Sequence, residues 1–122
     1  MINNKKIFLY DSTLRDGAQT KGVDFSLSDK IAIAKVLDKF GLDYIEGGWP
    51  GANNTDTEFF KTSPRLKQSK LVSFGMTYKN ASVLKKKFNE IKRKFKAKHL
   101  CIVGKTWDFQ VKKALNITEK EN

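Results

Sequence analysis

The chain has 122 residues, 39% of them hydrophobic and 11% aromatic, with 24 basic against 13 acidic side chains and a net charge of +11. That length holds one ordinary domain or part of one, and the apolar content suffices for a folded core, which excludes a disordered tail and a fibrous repeat. No apolar run approaches the roughly 20 residues needed to cross a bilayer, and the opening MINNKKIFLYD reaches an acid too early for a signal peptide, so a cytoplasmic protein with no membrane partner is expected.

Read for periodicity, the chain repeats a short apolar run, a polar turn and an amphipathic helix, the pattern of βα units on a parallel sheet. The first strand is predicted over Lys6–Tyr10. Ser26 and Asp29 then form a capping-box pattern ahead of Ile33, Val36, Leu37 and Phe40, with Gly41 placed to stop the helix. A second strand is predicted over Leu42–Glu46. Its helix opens near Asp56 and runs through Phe59 and Phe60 to the Ser63-Pro64 break, because a residue before proline resists the helical conformation. The third strand covers Leu71–Phe74. Ser82 can cap the next helix, and a fourth strand, Leu100–Val103, leads through GKTWD into a last helix containing Val111 and Leu115.

The third helix explains much of the charge. Lys85, Lys86, Lys87, Lys92, Arg93, Lys94, Lys96 and Lys98 fall in one stretch, while Leu84, Phe88, Ile91 and Phe95 run through it at helical spacing. A pI near 9.8 is the usual footprint of nucleic-acid binding. Only three of the 24 basic residues are arginine, however, and base readout favours arginine, so a lysine-rich wet face is expected and no nucleic-acid partner. The single cysteine, Cys101, lies in the apolar HLCIVG and reads as a buried structural thiol.

In parallel α/β folds, binding and catalytic groups collect in the loops that follow the strands. After the first strand stands Asp11-Ser12-Thr13-Leu14-Arg15-Asp16-Gly17-Ala18-Gln19, with two carboxylates, a guanidinium and an amide. Such oxygen donors suit a divalent metal, and the arginine can stabilise charge developing on a substrate oxygen. An Asp–Arg ion pair bracing the loop, with Asp11 or Asp16 capping backbone amides, reads equally well. The second strand ends in Glu46-Gly47-Gly48-Trp49-Pro50, an acid facing the first loop, or one that pairs with Arg15 or a lysine. Gly75-Met76-Thr77 and Gly104–Asp108 are weaker signals; Asp108 serves equally as a helix N-cap. His99 precedes its strand and reads as a surface residue. No turn has GxGxxG or GxxxxGK[ST] spacing.

DSTLRDGAQ after the first strand, YIEGGWPGANNTDTEFF after the second and VGKTWDFQVKKAL at the end together resemble the acyl-CoA-dependent Claisen-type condensing enzymes. That family includes the 2-isopropylmalate, homocitrate and citramalate synthases and is related to hydroxymethylglutaryl-CoA lyase. IEGGWPG and GKTWD are most similar to the citramalate-forming branch. The resemblance implies an α/β fold, the first half of a metal-dependent (β/α)8 TIM barrel of about four βα units, spanning residues 5–122. It implies Asp16 as metal ligand, Arg15 as stabiliser of the enolate or alkoxide oxygen, Glu46 as catalytic acid of the second strand, and Gln19 as a substrate contact. It also implies a divalent ion (Zn, Mn or Mg), acetyl-CoA and a 2-oxo acid such as pyruvate as small-molecule partners, a homodimer, and a place in isoleucine and branched-chain amino-acid biosynthesis.

The family completes its metal site with an HxH pair on a late strand, and this chain has one histidine. A (β/α)8 barrel needs about 250 residues. The expectation is therefore an N-terminal fragment, inactive alone, or a half that assembles with a partner carrying the histidines. A 2-isopropylmalate or homocitrate synthase fragment is the nearest alternative. A complete flavodoxin-like domain binding an anionic ligand or nucleic acid is the more distant one.

Overall fold

The computed structural model describes residues 6–78, 80–95 and 97–122. Lys5 of the expected domain range, the residues before it and Lys96 of the lysine-rich stretch lie outside these. Four parallel strands form one sheet in the order β1-β2-β3-β4: β1 Tyr10–Asp11, β2 Tyr44–Gly48, β3 Lys70–Met76 and β4 His99–Val103. Helices α1 Leu27–Phe40, α2 Asn54–Thr62 and α3 Ala81–Phe95 make the crossovers, and a short α4, Asp108–Gln110, continues as a π-helical turn over Val111–Leu115.

Register decides which residues share a face. Ile45 pairs with Leu71 and Ser73 with Leu100. Ile45 and Leu71 pack with Leu14, Ala34, Phe59, Phe60, Ile91 and Phe95, so the helices cover one side of the sheet. The other side carries the pairs Tyr10–Tyr44, Glu46–Val72, Val72–His99 and Phe74–Cys101. Sequential strand order with every crossover on one face is the geometry of an arc of a (β/α)8 barrel. A flavodoxin-like sheet reverses its strand order and carries helices on both faces, so the small open-sheet alternative does not describe this chain.

Local signals set the helix ends. The Ser26 hydroxyl accepts from the Asp29 N–H while the Asp29 carboxylate accepts from the Ser26 N–H, closing the predicted capping box; Gly41, at φ 89°, ends α1 in the left-handed conformation that glycine adopts without strain. Asn53 caps α2.

Several expectations need correction. The first strand is shorter and later than Lys6–Tyr10, and β2, β3 and β4 also start or end beyond their predicted limits. In α1 the expected apolar face is displaced: Val36 and Phe40 are 64% and 82% exposed, whereas Lys30, Ala34 and Asp38 are buried. The capping contact of α3 comes from Asn80, whose side-chain oxygen accepts from the Val83 N–H and the Ser82 hydroxyl. Asp108 is the first helical residue rather than the N-cap, which is Trp107. His99 begins β4 instead of preceding it, and its ring meets Tyr44 edge-on at 5.9 Å. Burial, with help from the Lys70 and Lys98 charges, lowers its pKa. Cys101 is half-buried on the face away from the helices, not in the helix-packed core.

Candidate active site

The C-terminal ends of β1 and β2 bring the predicted cluster together. The loop after β1 is wound tightly, with the Arg15, Asp16 and Gly17 amides all donating to the Ser12 carbonyl. Asp11 braces it by accepting from the Thr13 amide and hydroxyl at 3.0 and 2.9 Å. The bracing role weighed for Asp11 is thus the one observed.

From this loop Arg15 reaches across to β2. Its Nε donates to Glu46 Oε2 at 2.8 Å and its Nη1 to Asp16 Oδ1 at 2.9 Å. Burial disfavours the guanidinium charge, but the Glu46 hydrogen bond and the charges of Glu46 and Asp16 outweigh it and hold the pKa above the ordinary arginine value. Two N–H groups are thereby engaged, which leaves others of the planar fork for a ligand. The bracing ion pair is thus observed, and it leaves part of the guanidinium fork outside these two bonds.

Glu46 is fully buried, and its Oε1 has no hydrogen-bond partner among the described residues. A buried carboxylate oxygen without a partner costs free energy on the scale of a lost hydrogen bond or more, so its persistence needs a reason. The Tyr10 phenol lies close enough to feel the Glu46 carboxylate. That phenol is pushed well above its usual pKa, first by burial and then by its contact with Cys101 and the charge of Glu46. Tyr10 stands inside the predicted strand and carries no sequence signal of its own; it is the register, Tyr10 beside Tyr44 two residues before Glu46, that puts it on the Glu46 side of the sheet.

Asp16 is 64% exposed at the loop surface. Its carboxylate is a hard oxygen donor of the kind a divalent cation takes. Among the described residues no group of three His, Cys, Asp or Glu side chains could hold a metal ion. The described residues thus assemble no metal cage of their own, and Asp16 offers one exposed carboxylate at the loop surface. Gln19, on the 3-10 turn Gly17–Gln19, is exposed and stands outside the Arg15–Glu46 cluster.

A second set of residues was not legible beforehand. Lys30 of α1 is 2% exposed, and its Nζ donates to the Gly47 carbonyl at 2.9 Å and to the Asp56 carboxylate. Asp56 also accepts from the Trp49 N–H at 2.8 Å and from Asn53 Nδ2 at 3.0 Å. The signal was a lysine in line with Ala34 and Asp38 at four-residue spacing, on the covered side of α1.

The guanidinium between two carboxylates thus lies at the C-terminal ends of the strands of a barrel arc, the end at which TIM-barrel enzymes carry their active sites. The chain belongs to the HMGL-like family, whose model matches residues 6–122. It is 46% identical over 121 residues to the (R)-citramalate synthase of Aquifex aeolicus, covering 97% of this chain and 23% of that protein. It is 48% identical over 118 residues to the (R)-citramalate synthase of Geobacter sulfurreducens, covering 93% and 22%. A 2-isopropylmalate synthase of Caldanaerobacter subterraneus is 51% identical over 57 residues, 47% of this chain. The chain thus spans less than a quarter of the length of these curated citramalate synthases. No helix among the described residues is long and apolar enough to cross a membrane.

Proposed function

We propose that these residues form the first half of the catalytic barrel of an acyltransferase that condenses acetyl-CoA with pyruvate to give citramalate, on a route to isoleucine. The observation that carries this is Glu46: a fully buried carboxylate with one oxygen on Arg15, which also holds Asp16, and the other unpartnered among the described residues. The citramalate reading is preferred to the isopropylmalate one because the named citramalate synthases align over 93–97% of the chain and the isopropylmalate synthase over 47%.

In a Claisen-type condensation a base takes a proton from the acetyl methyl, the resulting carbon attacks the keto carbon as the C=O π pair moves onto oxygen, that alkoxide takes up a proton, and water then cleaves the thioester and releases the CoA thiol. Arg15 supplies fixed N–H donors to the keto oxygen, where charge develops in the transition state. Glu46 holds the Arg15 Nε and, through Oε1, accepts a hydrogen bond from a protonated substrate group. A divalent ion (Zn, Mn or Mg) held in part by Asp16 would supply Lewis-acid polarisation of the oxo acid. With a single such donor in place, the 122-residue chain alone is expected to turn over nothing.

The test is a chimera in which residues 6–122 replace the matching segment of the Geobacter sulfurreducens relative. We expect thiol release from acetyl-CoA that needs pyruvate and a divalent metal and falls with a branched 2-oxo acid, and none from the chain alone. A folded chimera that is inactive, or one that prefers the branched acid, would overturn the reading.

A further inference from the structure

The ladder between β2 and β3 is regular until Glu46 pairs with Val72; the next partners are Gly48 and Ser73, so Gly47 is skipped. Such a bulge bends a strand and re-aims the side chains beside it. Here it falls directly after the buried carboxylate. The extra residue cannot hold this shape through the ladder, which is broken there, so the conformation needs another source.

Lys30 and Asp56 supply it from the helix side. The Lys30 ammonium fixes the carbonyl of Gly47, and the Asp56 carboxylate, paired with that ammonium, fixes the amide of Trp49. The two bonds clamp the backbone on either side of Gly48, whose φ of 131° suits glycine and whose place against the Asp56 carboxylate leaves no room for a Cβ. Asn53 holds Asp56 in turn, by a side-chain bond at 3.0 Å and by accepting from its backbone N–H at 2.7 Å. The hydrogen bonds of the two charges run to each other and to Gly47, Trp49 and Asn53, and the proposed chemistry does not use them.

We propose that the buried Lys30–Asp56 pair is the positioning device of this site: by clamping Gly47 and Trp49 it imposes the bulge that turns Glu46 onto Arg15. Its meaning for catalysis rests on the reading of Glu46 and Arg15 given above, but the geometric claim does not. A buried pair retained only for stability is replaceable by apolar groups of similar volume with little loss. A positioning pair is not, because no apolar group holds a carbonyl and an amide.

The experiment uses the 122-residue chain and reads the exchange of the Arg15 Nε–H with solvent by NMR, a direct report on its bond to Glu46. The variants are Asp56→Asn, Lys30→Met and the doubly apolar Lys30→Met/Asp56→Leu, with Asp38→Asn as a control at the far end of α1. Measured under native conditions, where the Arg15 Nε–H exchanges through local opening and not through global unfolding, exchange should quicken by about tenfold or more in each of the first three and stay near the wild-type rate in Asp38→Asn, whose stability loss acts on global unfolding. The double variant is the decisive one, since it should regain stability over Lys30→Met without regaining protection. Wild-type exchange in any folded variant of the pair, or equal quickening in Asp38→Asn, would overturn the proposal. Because the measurement needs no turnover, an inactive chimera with the expected exchange pattern would sink the functional reading alone.

Discussion

The guanidinium of Arg15 sits over the ring of Phe74, 4.5 Å from its centroid. Trp49 meets the same ring in a T-shaped contact at 5.3 Å, so the stack joins the loops after β1 and β2 through β3. Cation–π contact of this kind contributes about 0.5–2 kcal/mol and, more usefully, fixes the plane of the guanidinium. With Glu46 and Asp16 on two of its N–H groups, the remaining donors have a set direction.

That fixed direction makes Arg15→Lys the sharpest test of a role in the transition state. Lysine keeps a charge but loses the planar fork and its stacking on Phe74. In the chimera, kcat should fall by about two orders of magnitude, the scale of losing one oxyanion donor. KM for pyruvate should move much less. A large rise in KM with kcat unchanged would make Arg15 a carboxylate clamp instead.

Glu46→Gln separates structure from chemistry. It removes the charge opposite Arg15 and sets an amide where an oxygen unpartnered among the described residues now stands. In the 122-residue chain, urea denaturation should show a loss of about 1–3 kcal/mol, as expected on breaking a largely buried pair. In the chimera, kcat should fall by about a hundredfold or more while the protein remains folded. Unchanged kcat with the stability loss intact would leave Glu46 a brace and nothing else.

Asp16 and Asp11 sit five residues apart in one loop but are committed differently. Asp11 spends both oxygens on Thr13, whereas Asp16 is exposed and bound only through Oδ1 to Arg15 among the described residues. Calorimetry on the chimera should therefore show divalent-metal affinity reduced at least about tenfold by Asp16→Asn, in the range of lost ligand interactions. Asp11→Asn should cost about 1 kcal/mol of stability with a smaller effect on affinity. Equal affinity in wild type and Asp16→Asn would remove Asp16 from the metal site.

What could be read from the sequence was what depends on neighbours in the chain. The ends of α1 were legible because Ser26, Asp29 and Gly41 act within one turn, and the loop cluster was legible because Arg15 and Asp16 lie just past an apolar run. The covered flank of α1 was not. Val36 and Phe40 are as apolar as Ile33 and Leu37, and only the placement of α2 and β2 decides which pair is partly covered by the core. Lys30 was missed for a related reason: a lysine on a helix defaults to solvent, and the partner that draws it inward, Asp56, stands 26 residues away. The expected end of β2 at Glu46 failed because the bulge carries the strand two residues further, to Gly48.

Asp38 offers a prediction in pH. Although burial opposes its charge, the backbone amides of Lys67, Ser69 and Gln68 converge on its carboxylate and lower its pKa from 3.8 to about 2. These bonds tie the end of α1 to the loop before β3, at the opposite end of the sheet from Arg15 and Glu46. A carboxyl whose folded pKa is depressed contributes stability that is complete above its unfolded pKa and is lost as pH falls through the folded one. The window here is therefore about pH 4 down to pH 2. At pH 6, Asp38→Asn should be less stable than wild type by about 1–2 kcal/mol in urea, since the amide accepts through one oxygen only. At pH 2.5 that gap should shrink to about half or less, because the carboxyl of the unfolded wild type is by then protonated while the folded one is still largely ionised, so unfolding takes up a proton and the advantage of the ionised, amide-bound form falls. A gap that stayed constant from pH 6 to pH 2.5 would show that these amides do not hold Asp38 ionised.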